Sequence, residues 1–257
     1  MTWLTSDESI TRYTDALKRA SEDDIVFNWF RREPGVREIV EGMPDCVGFG
    51  YHAKLKGTEF FAGNLEKIQQ NDKVGGPRLF LIEGQAFTST TLRYAWNVHD
   101  MHLNGVLLDG ANVVEVGGGY GGLCRMIHAF HTPKSYTVVD LPEALALAKR
   151  YLGAYGITNV AYVSAFEYGE LPVDAFISNY ALTELTKNVQ VGYVDKLMKR
   201  AASGYVTYNS QPRNADVQFS LAELQDSLPS SCLSKIQQEN VKKSECQVLV
   251  WSPFVAV

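Results

Sequence analysis

Short apolar runs alternate along the C-terminal part of the chain with segments whose apolar residues recur every three or four positions. This alternation predicts strands and helices in turn, and therefore a parallel sheet with helices on both faces. The predicted strands are 112–116, 136–139, 160–163, 173–178, 205–208 and 247–251, and the predicted helices are 123–130, 144–152, 189–202 and 221–228. We therefore predict an α/β, Rossmann-like domain over residues 109–257.

The N-terminal part has a different pattern. Helical spacing of apolar residues predicts one helix over residues 10–20 and another over 92–107, which begins after a capping run of Thr and Ser residues. Residues 42–65 carry glycines and aromatics without a clear period, and we predict loop and short elements there. We expect residues 1–108 to form a mainly helical region that caps the functional site of the second domain.

The segment Val113-Val-Glu-Val-Gly-Gly-Gly-Tyr-Gly-Gly122 indicates a binding loop, because a predicted strand runs directly into glycines and then into a helix. Glycines tolerate positive φ and let a ligand approach the backbone, and the following helix start presents free N–H groups. Gly117, Gly119 and Gly122 also satisfy the dinucleotide pattern GxGxxG. A tight turn without a ligand is the alternative. The predicted ligand-binding glycines are Gly117, Gly118, Gly119 and Gly121.

Two acidic residues near this loop bear on the identity of its ligand, for which S-adenosylmethionine and a nicotinamide dinucleotide are the candidates. Glu115 precedes the first glycine by two residues, and a carboxylate there can hold an ammonium group, which S-adenosylmethionine has and NAD lacks. Asp140 ends the next predicted strand, where a carboxylate can accept hydrogen bonds from both ribose hydroxyls. Asp140 could also cap the helix that follows.

Four segments together resemble bacterial sugar O-methyltransferases, which are class I S-adenosylmethionine-dependent methyltransferases. They are Thr90-Thr-Leu-Arg-Tyr94, Val114-Glu-Val-Gly-Gly-Gly-Tyr-Gly-Gly122, Ile177-Ser-Asn-Tyr-Ala-Leu-Thr-Glu184 and Gly204-Tyr-Val-Thr-Tyr-Asn209. The resemblance implies the class I methyltransferase fold and methyl transfer to a sugar hydroxyl. The stretch 238–246 departs from the family pattern, so the acceptor stays open, with a small metabolite, a polyketide or a lipid as alternatives.

The resemblance also implies further donor contacts. The loop after the third strand, Ser164-Ala-Phe166, is expected to flank the adenine, and Arg93 is expected to bind the donor carboxylate or the acceptor. A surface ion pair is the alternative for Arg93. The full set of further donor contacts is Leu141, Ala165, Phe166, Asn179, Thr90 and Arg93.

Methyl transfer to a sugar hydroxyl needs help, because the hydroxyl is a weak nucleophile near neutral pH. A general base or a divalent metal such as Mg²⁺ would supply it, and no metal ligands are assigned. The catalytic candidates are Glu184, Tyr180 and His99. If a helix begins at Ala181, Glu184 falls in its first turn near the strand ends, although it could simply favour the helix N-terminus. His99 lies on the apolar stripe of helix 92–107, where packing is the alternative role.

Composition narrows the partners. The chain has 257 residues and a net charge of −5, so it lacks a basic footprint for nucleic acid. Its four cysteines are scattered, which favours reduced thiols and a cytoplasmic location. We find no signal peptide and no apolar run of the ~20 residues that a membrane span needs. We expect a small-molecule or glycan acceptor, and a homo-oligomer stays open.

Two competing functions use the same loop. An NAD(P)-dependent oxidoreductase would also need the glycines and Asp140, whereas Glu115 and the long N-terminal region count against it. A catalytically silent methyltransferase-like subunit is the other alternative.

Overall fold

The predicted alternation of strands and helices is present in a computed structural model, which describes residues 7–209, 218–239 and 246–254. The rest of both predicted domains lies outside these ranges. The strands are β1 (Phe80–Ile82), β2 (Gln85–Phe87), β3 (Asn112–Val116), β4 (Ser135–Asp140), β5 (Val160–Ser164), β6 (Ala175–Asn179), β7 (Ser203–Asn209), β8 (Leu233–Gln238) and β9 (Cys246–Ser252). The helices are α1 (Asp7–Glu22), α2 (Asp24–Trp29), α3 (Pro34–Val36), α4 (Asp45–Leu55), α5 (Glu59–Gln69), α6 (Ser89–Leu103), α7 (Gly122–Phe130), α8 (Pro142–Ala154), α9 (Lys187–Lys196) and α10 (Leu221–Asp226).

Seven strands form one sheet in the order β5-β4-β3-β6-β7-β9-β8. Neighbours among β3 to β7 pair in parallel, and β9 runs antiparallel to both β7 and β8. The chain winds outward from β3 to β5 and then returns to place β6 on the other side of β3. The carboxyl ends of β3 and β6 therefore flank the switch point, where ligands bind in open α/β sheets.

Helices cover both faces of this sheet, as predicted. Alternate residues of one strand enter different cores: Val113 packs in a cluster with α1, α6, α7 and α8, whereas Val114 packs in a cluster with α9 and α10. This alternation is the period of a strand that is buried on both faces. The Rossmann-like α/β fold is thereby confirmed.

The N-terminal region packs directly on the sheet. Residues of α1, α4 and α6 belong to the same continuous core as α7, α8 and one face of the strands. Helix α1 lies against α8, and the Arg150 guanidinium donates to the carbonyl oxygen of Ala20 at 3.2 Å. No helix among the described ranges is long and apolar enough to cross a bilayer.

The prediction of loop over residues 42–65 is wrong, because α4 and most of α5 lie there. Gly48 obscured the pattern: it sits inside α4 where a Cβ would lie 2.6 Å from the Phe80 ring and from the Ser89 Oγ. The glycine therefore serves close packing against the β1–β2 hairpin and α6 rather than a turn. The buried face of α4 includes Tyr51 and His52, so it lacks the regular aliphatic stripe by which a helix is predicted from sequence.

Four other features differ from expectation. Helix α6 is capped by Thr88, as predicted, but ends at Leu103 before Gly105, which has a φ of 66°. Strand β8 was not predicted, and neither was the β1–β2 hairpin. The helix expected at Ala181 is a single 3-10 turn over Ala181–Glu184, so Glu184 ends the turn.

Candidate active site

A cleft of about 460 Å³ opens at the carboxyl ends of β3, β4 and β6. Its floor is the glycine loop with the acidic residues beneath it. Its roof comes from α1 and from residues 38–44, and its far wall comes from α6 and the segments after β6 and β7. The volume lies within the range of small-molecule and cofactor sites.

The glycine loop needs glycine for both conformation and space. Gly117 has a φ of 79°, and an added Cβ would overlap the Cβ of Ala181. At Gly118 a Cβ would lie 2.7 Å from Val138 Cγ1 and 3.3 Å from Glu115 Oε2. Gly117, Gly118 and Gly119 line the cleft. Gly121 does not: it has a φ of 91° and is the N-cap residue of α7.

Asp140 ties the loop to the end of β4. Its Oδ2 accepts a hydrogen bond from the Gly119 N–H at 2.7 Å, and its Oδ1 accepts one from the Leu141 N–H at 2.7 Å. Burial raises the pKa of Asp140 to about 6, and the two backbone hydrogen bonds oppose that rise. A carboxylate has about four acceptor sites, so two remain for a ligand in the cleft.

Glu115 is a buried carboxyl group on the cleft floor, with only 1% of its surface exposed. The Tyr136 hydroxyl donates to its Oε2 at 2.8 Å. Burial raises the pKa of Glu115 to about 7; the Tyr136 hydrogen bond lowers this pKa, and the Asp140 charge raises it. A cation placed next to Glu115 would favour the ionised form and be stabilised in return.

Arg93 is the only lysine or arginine among the described residues that line the cleft. Its guanidinium lies 5.3 Å from the ring centroid of Tyr94 and 5.2 Å from that of Tyr180. Its buried Nε has no hydrogen-bond partner within the described ranges. This donor set can bind a carboxylate.

Tyr180 follows β6 in a strained conformation, with a φ of 71°. Its hydroxyl donates to the Glu239 carboxylate, 2.8 Å from Oε2, and the Tyr51 hydroxyl donates to the same group. Glu239, just after β8, is buried. No sequence motif indicated Glu239, because only the β8–β9 pairing brings it to the end of β6.

Asn179, which precedes Tyr180 in the chain, lines the cleft and accepts a hydrogen bond from Asn97 Nδ2 at 3.2 Å.

Of the other catalytic candidates, Glu184 lines the cleft and His99 does not. Burial raises the pKa of the Glu184 carboxyl, and the charge of Arg93 lowers it. The His99 ring stacks on Phe60, with centroids 4.9 Å apart. The prediction that His99 reaches the site is wrong, because it lies six residues beyond Arg93 on α6, about 240° around the helix.

Three predicted donor contacts also lie outside the cleft lining. The Thr90 hydroxyl donates to the Val40 carbonyl at 3.4 Å and so holds the roof. The Ala165 N–H donates to the Asp140 carbonyl at 2.8 Å, and Phe166 is 60% exposed. Leu141, in contrast, lines the cleft. The roof residues were not predicted, because no motif marks them: Ile10, Tyr13, Glu38, Ile39, Val40, Gly42, Met43 and Pro44.

The described residues contain no group of three or more His, Cys, Asp or Glu side chains placed to hold a metal ion.

No protein-family model and no curated protein matches the chain. Among solved structures, an rRNA methylase from Streptococcus thermophilus is 18% identical over 61% of this chain and 95% of its own, with a TM-score of 0.45. An O-methyltransferase from neocarzinostatin biosynthesis, in complex with S-adenosylmethionine and a naphthoic acid, is 18% identical over 64% of this chain and 57% of its own, with a TM-score of 0.42.

Proposed function

We propose that this protein is an S-adenosylmethionine-dependent O-methyltransferase that methylates a hydroxyl of a sugar or glycan. The observation that carries the proposal is the placement of two carboxylates, Glu115 and Asp140, against one glycine loop at the switch point of the sheet. Asp140 keeps free acceptor sites for the ribose hydroxyls, and Glu115 provides a buried anion for the donor ammonium.

The cleft fits this donor better than a dinucleotide. Gly118 leaves no side chain between the loop and the Glu115 carboxylate, since a Cβ there would lie 3.3 Å from Oε2. An anion at this position repels a pyrophosphate and attracts an ammonium. Arg93 also lines the cleft and offers a positive charge for the donor carboxylate. The opposite charges of Glu115 and Arg93 thus suit an amino acid group.

The charge of the lining also limits the acceptor. Among the described residues that line the cleft, four are acids, Glu38, Glu115, Asp140 and Glu184, and one is a cation, Arg93. Arg12 pairs with Glu38, which leaves three acids against Arg93. A polyanion such as nucleic acid would be repelled, whereas a neutral hydroxyl compound would not. This balance supports a small-molecule or glycan acceptor.

The bound donor supplies a methyl group that its sulfonium already activates. The residues of the chain therefore need to orient the acceptor and take up its proton. Glu184 lies in the cleft beside Arg93, and burial makes its carboxylate more basic. We assign it the role of general base. Tyr180, held by Glu239, lies at the end of β6 and is proposed to contact the acceptor hydroxyl, and the neighbouring Asn179 keeps its predicted role as a donor contact.

Calorimetric titration with S-adenosylhomocysteine, and separately with NAD, tests the cofactor. We expect binding of the first alone, and loss of that binding in Gly119→Arg, because the larger side chain fills the loop. Binding of NAD alone would favour the oxidoreductase, and binding of neither would favour a silent subunit; either result overturns the proposal.

A Glu184→Gln variant tests the base once an acceptor is found by screening neutral sugars. We expect the turnover rate to fall by roughly 100-fold or more, while the affinity for S-adenosylhomocysteine stays within twofold. An unchanged turnover rate would refute the role of Glu184.

A further inference from the structure

The roof of the cleft contains a tyrosine that the proposed chemistry has not used. Tyr13 lies on α1, is only 6% exposed, and lines the cleft. Its hydroxyl faces the glycine loop, since a Cβ added to Gly119 would lie 3.6 Å from Tyr13 Oη. No described residue forms a hydrogen bond with that hydroxyl. A hydroxyl at a cleft surface without a protein partner is available to a ligand.

The hydroxyl of Tyr13 lies over the part of the glycine loop that contacts Asp140. Gly119, which it overlies, donates its N–H to Asp140 at 2.7 Å, on the ribose side. Glu184, the proposed base, lines the same cleft as Tyr13 and Asp140. The Tyr13 hydroxyl therefore faces the glycine loop in the cleft that both the ribose acid and the proposed base line.

Helix α1 is held over the loop by two contacts with Glu38. The Ser9 hydroxyl donates to Glu38 Oε1 at 2.6 Å, and Arg12 forms an ion pair with Glu38 at 3.1 Å. These contacts join α1 to the second part of the roof, where Val40 Cγ2 would lie 3.8 Å from a Cβ on Gly119. Tyr13 and Val40 thus cover the loop together.

We propose that Tyr13 contacts the bound donor between its ribose and its sulfonium, which makes helix α1 a wall of the donor site. The ligand is an adenosyl sulfonium compound, so the inference rests on the proposed function. The consequence is that helix α1 takes part in cofactor binding, in addition to the contact proposed for Arg93 on α6.

The first test is calorimetry with S-adenosylhomocysteine on the full chain and on Tyr13→Phe, which removes only the hydroxyl. We expect the affinity to fall roughly fivefold, the effect of one lost hydrogen bond. The matched control is Tyr155→Phe, because that hydroxyl donates to the Gln70 carbonyl at 2.6 Å and lies outside the cleft lining. The control should leave the affinity unchanged. An unchanged affinity in Tyr13→Phe would overturn the inference.

The second test needs no variant. Hydrogen exchange of the wild-type protein should slow in α1 and in the glycine loop when S-adenosylhomocysteine is added, because a ligand that contacts a segment raises its opening free energy. Protection of the loop without protection of α1 would overturn the role of Tyr13 and leave the methyltransferase proposal intact. The absence of any binding or protection would instead refute the proposed function, and the inference with it.

Discussion

The buried Glu115 should destabilise the donor-free protein when its carboxyl group is ionised. Replacing Glu115 therefore tests the electrostatics of the site. Glu115→Gln keeps the shape of the side chain and an oxygen that can accept the Tyr136 hydrogen bond, but removes the charge. We therefore expect the variant to be less sensitive to alkaline pH than the wild type, while it loses the anion proposed for the donor ammonium.

The magnitude follows from the pKa. Burial raises the pKa of Glu115 from its ordinary 4.5 to about 7 in the folded protein. Protonated Glu115 thus favours the folded state. Its contribution to the free energy of unfolding is fully present below pH 4.5 and is lost as the pH rises through about 7. Between pH 5 and pH 8 the loss amounts to about 2–3 kcal/mol in the free energy of unfolding. The group is almost fully buried, so solvent screening reduces this value little.

Urea denaturation of both proteins without ligand, at pH 5, 6, 7 and 8, measures this effect. The intrinsic cost of the substitution is the same at every pH. The stability of Glu115→Gln relative to wild type should therefore rise by about 2–3 kcal/mol across the series. The exposed Glu66→Gln is the control and should show a flat difference. A flat difference for Glu115→Gln as well would refute the account of a buried, proton-linked carboxyl group.

Three further predictions concern the loop, the ribose acid and the buried ion network. Gly117→Ala should lower the free energy of unfolding by about 2 kcal/mol or more in urea denaturation, because its φ is 79° and the new Cβ would overlap Ala181. Gly153→Ala in α8 has open space and should instead raise stability by about 0.5–1 kcal/mol; equal effects of the two would contradict this reasoning. Asp140→Asn should weaken S-adenosylhomocysteine binding roughly tenfold or more in calorimetry, and a change below twofold would remove it from the site. Arg31 forms buried ion pairs with Glu41 at 2.8 Å and with Asp72 at 3.0 Å. Arg31→Met should therefore lower the free energy of unfolding by about 3–5 kcal/mol in urea denaturation, because it leaves both carboxylates unpaired. A loss below about 1 kcal/mol would count against these ion pairs.

The alternation of strands and helices, the glycine loop and Asp140 at the end of β4 could all be predicted from the sequence. These features depend on residues close together in the chain, where period and turn chemistry act directly. Helices α4 and α5 could not be predicted. Gly48 and the buried Tyr51 and His52 fit tertiary neighbours such as Phe80 on the β1–β2 hairpin, and not a helical pattern along the chain. Local sequence patterns do not identify such tertiary partners.

The sequence alone therefore determined the parallel strands of the sheet, the loop and the two carboxylates that suggest the donor. Only the tertiary structure decided which side chains join them. It turned His99 away toward Phe60, brought Tyr13 over the loop, and placed Glu239 against Tyr180 across 59 residues of chain. Contacts of this kind depend on how whole elements pack. The register of β8 against β9 and the packing of α1 against α8 bring together residues that are far apart in the chain, and no short segment specifies them.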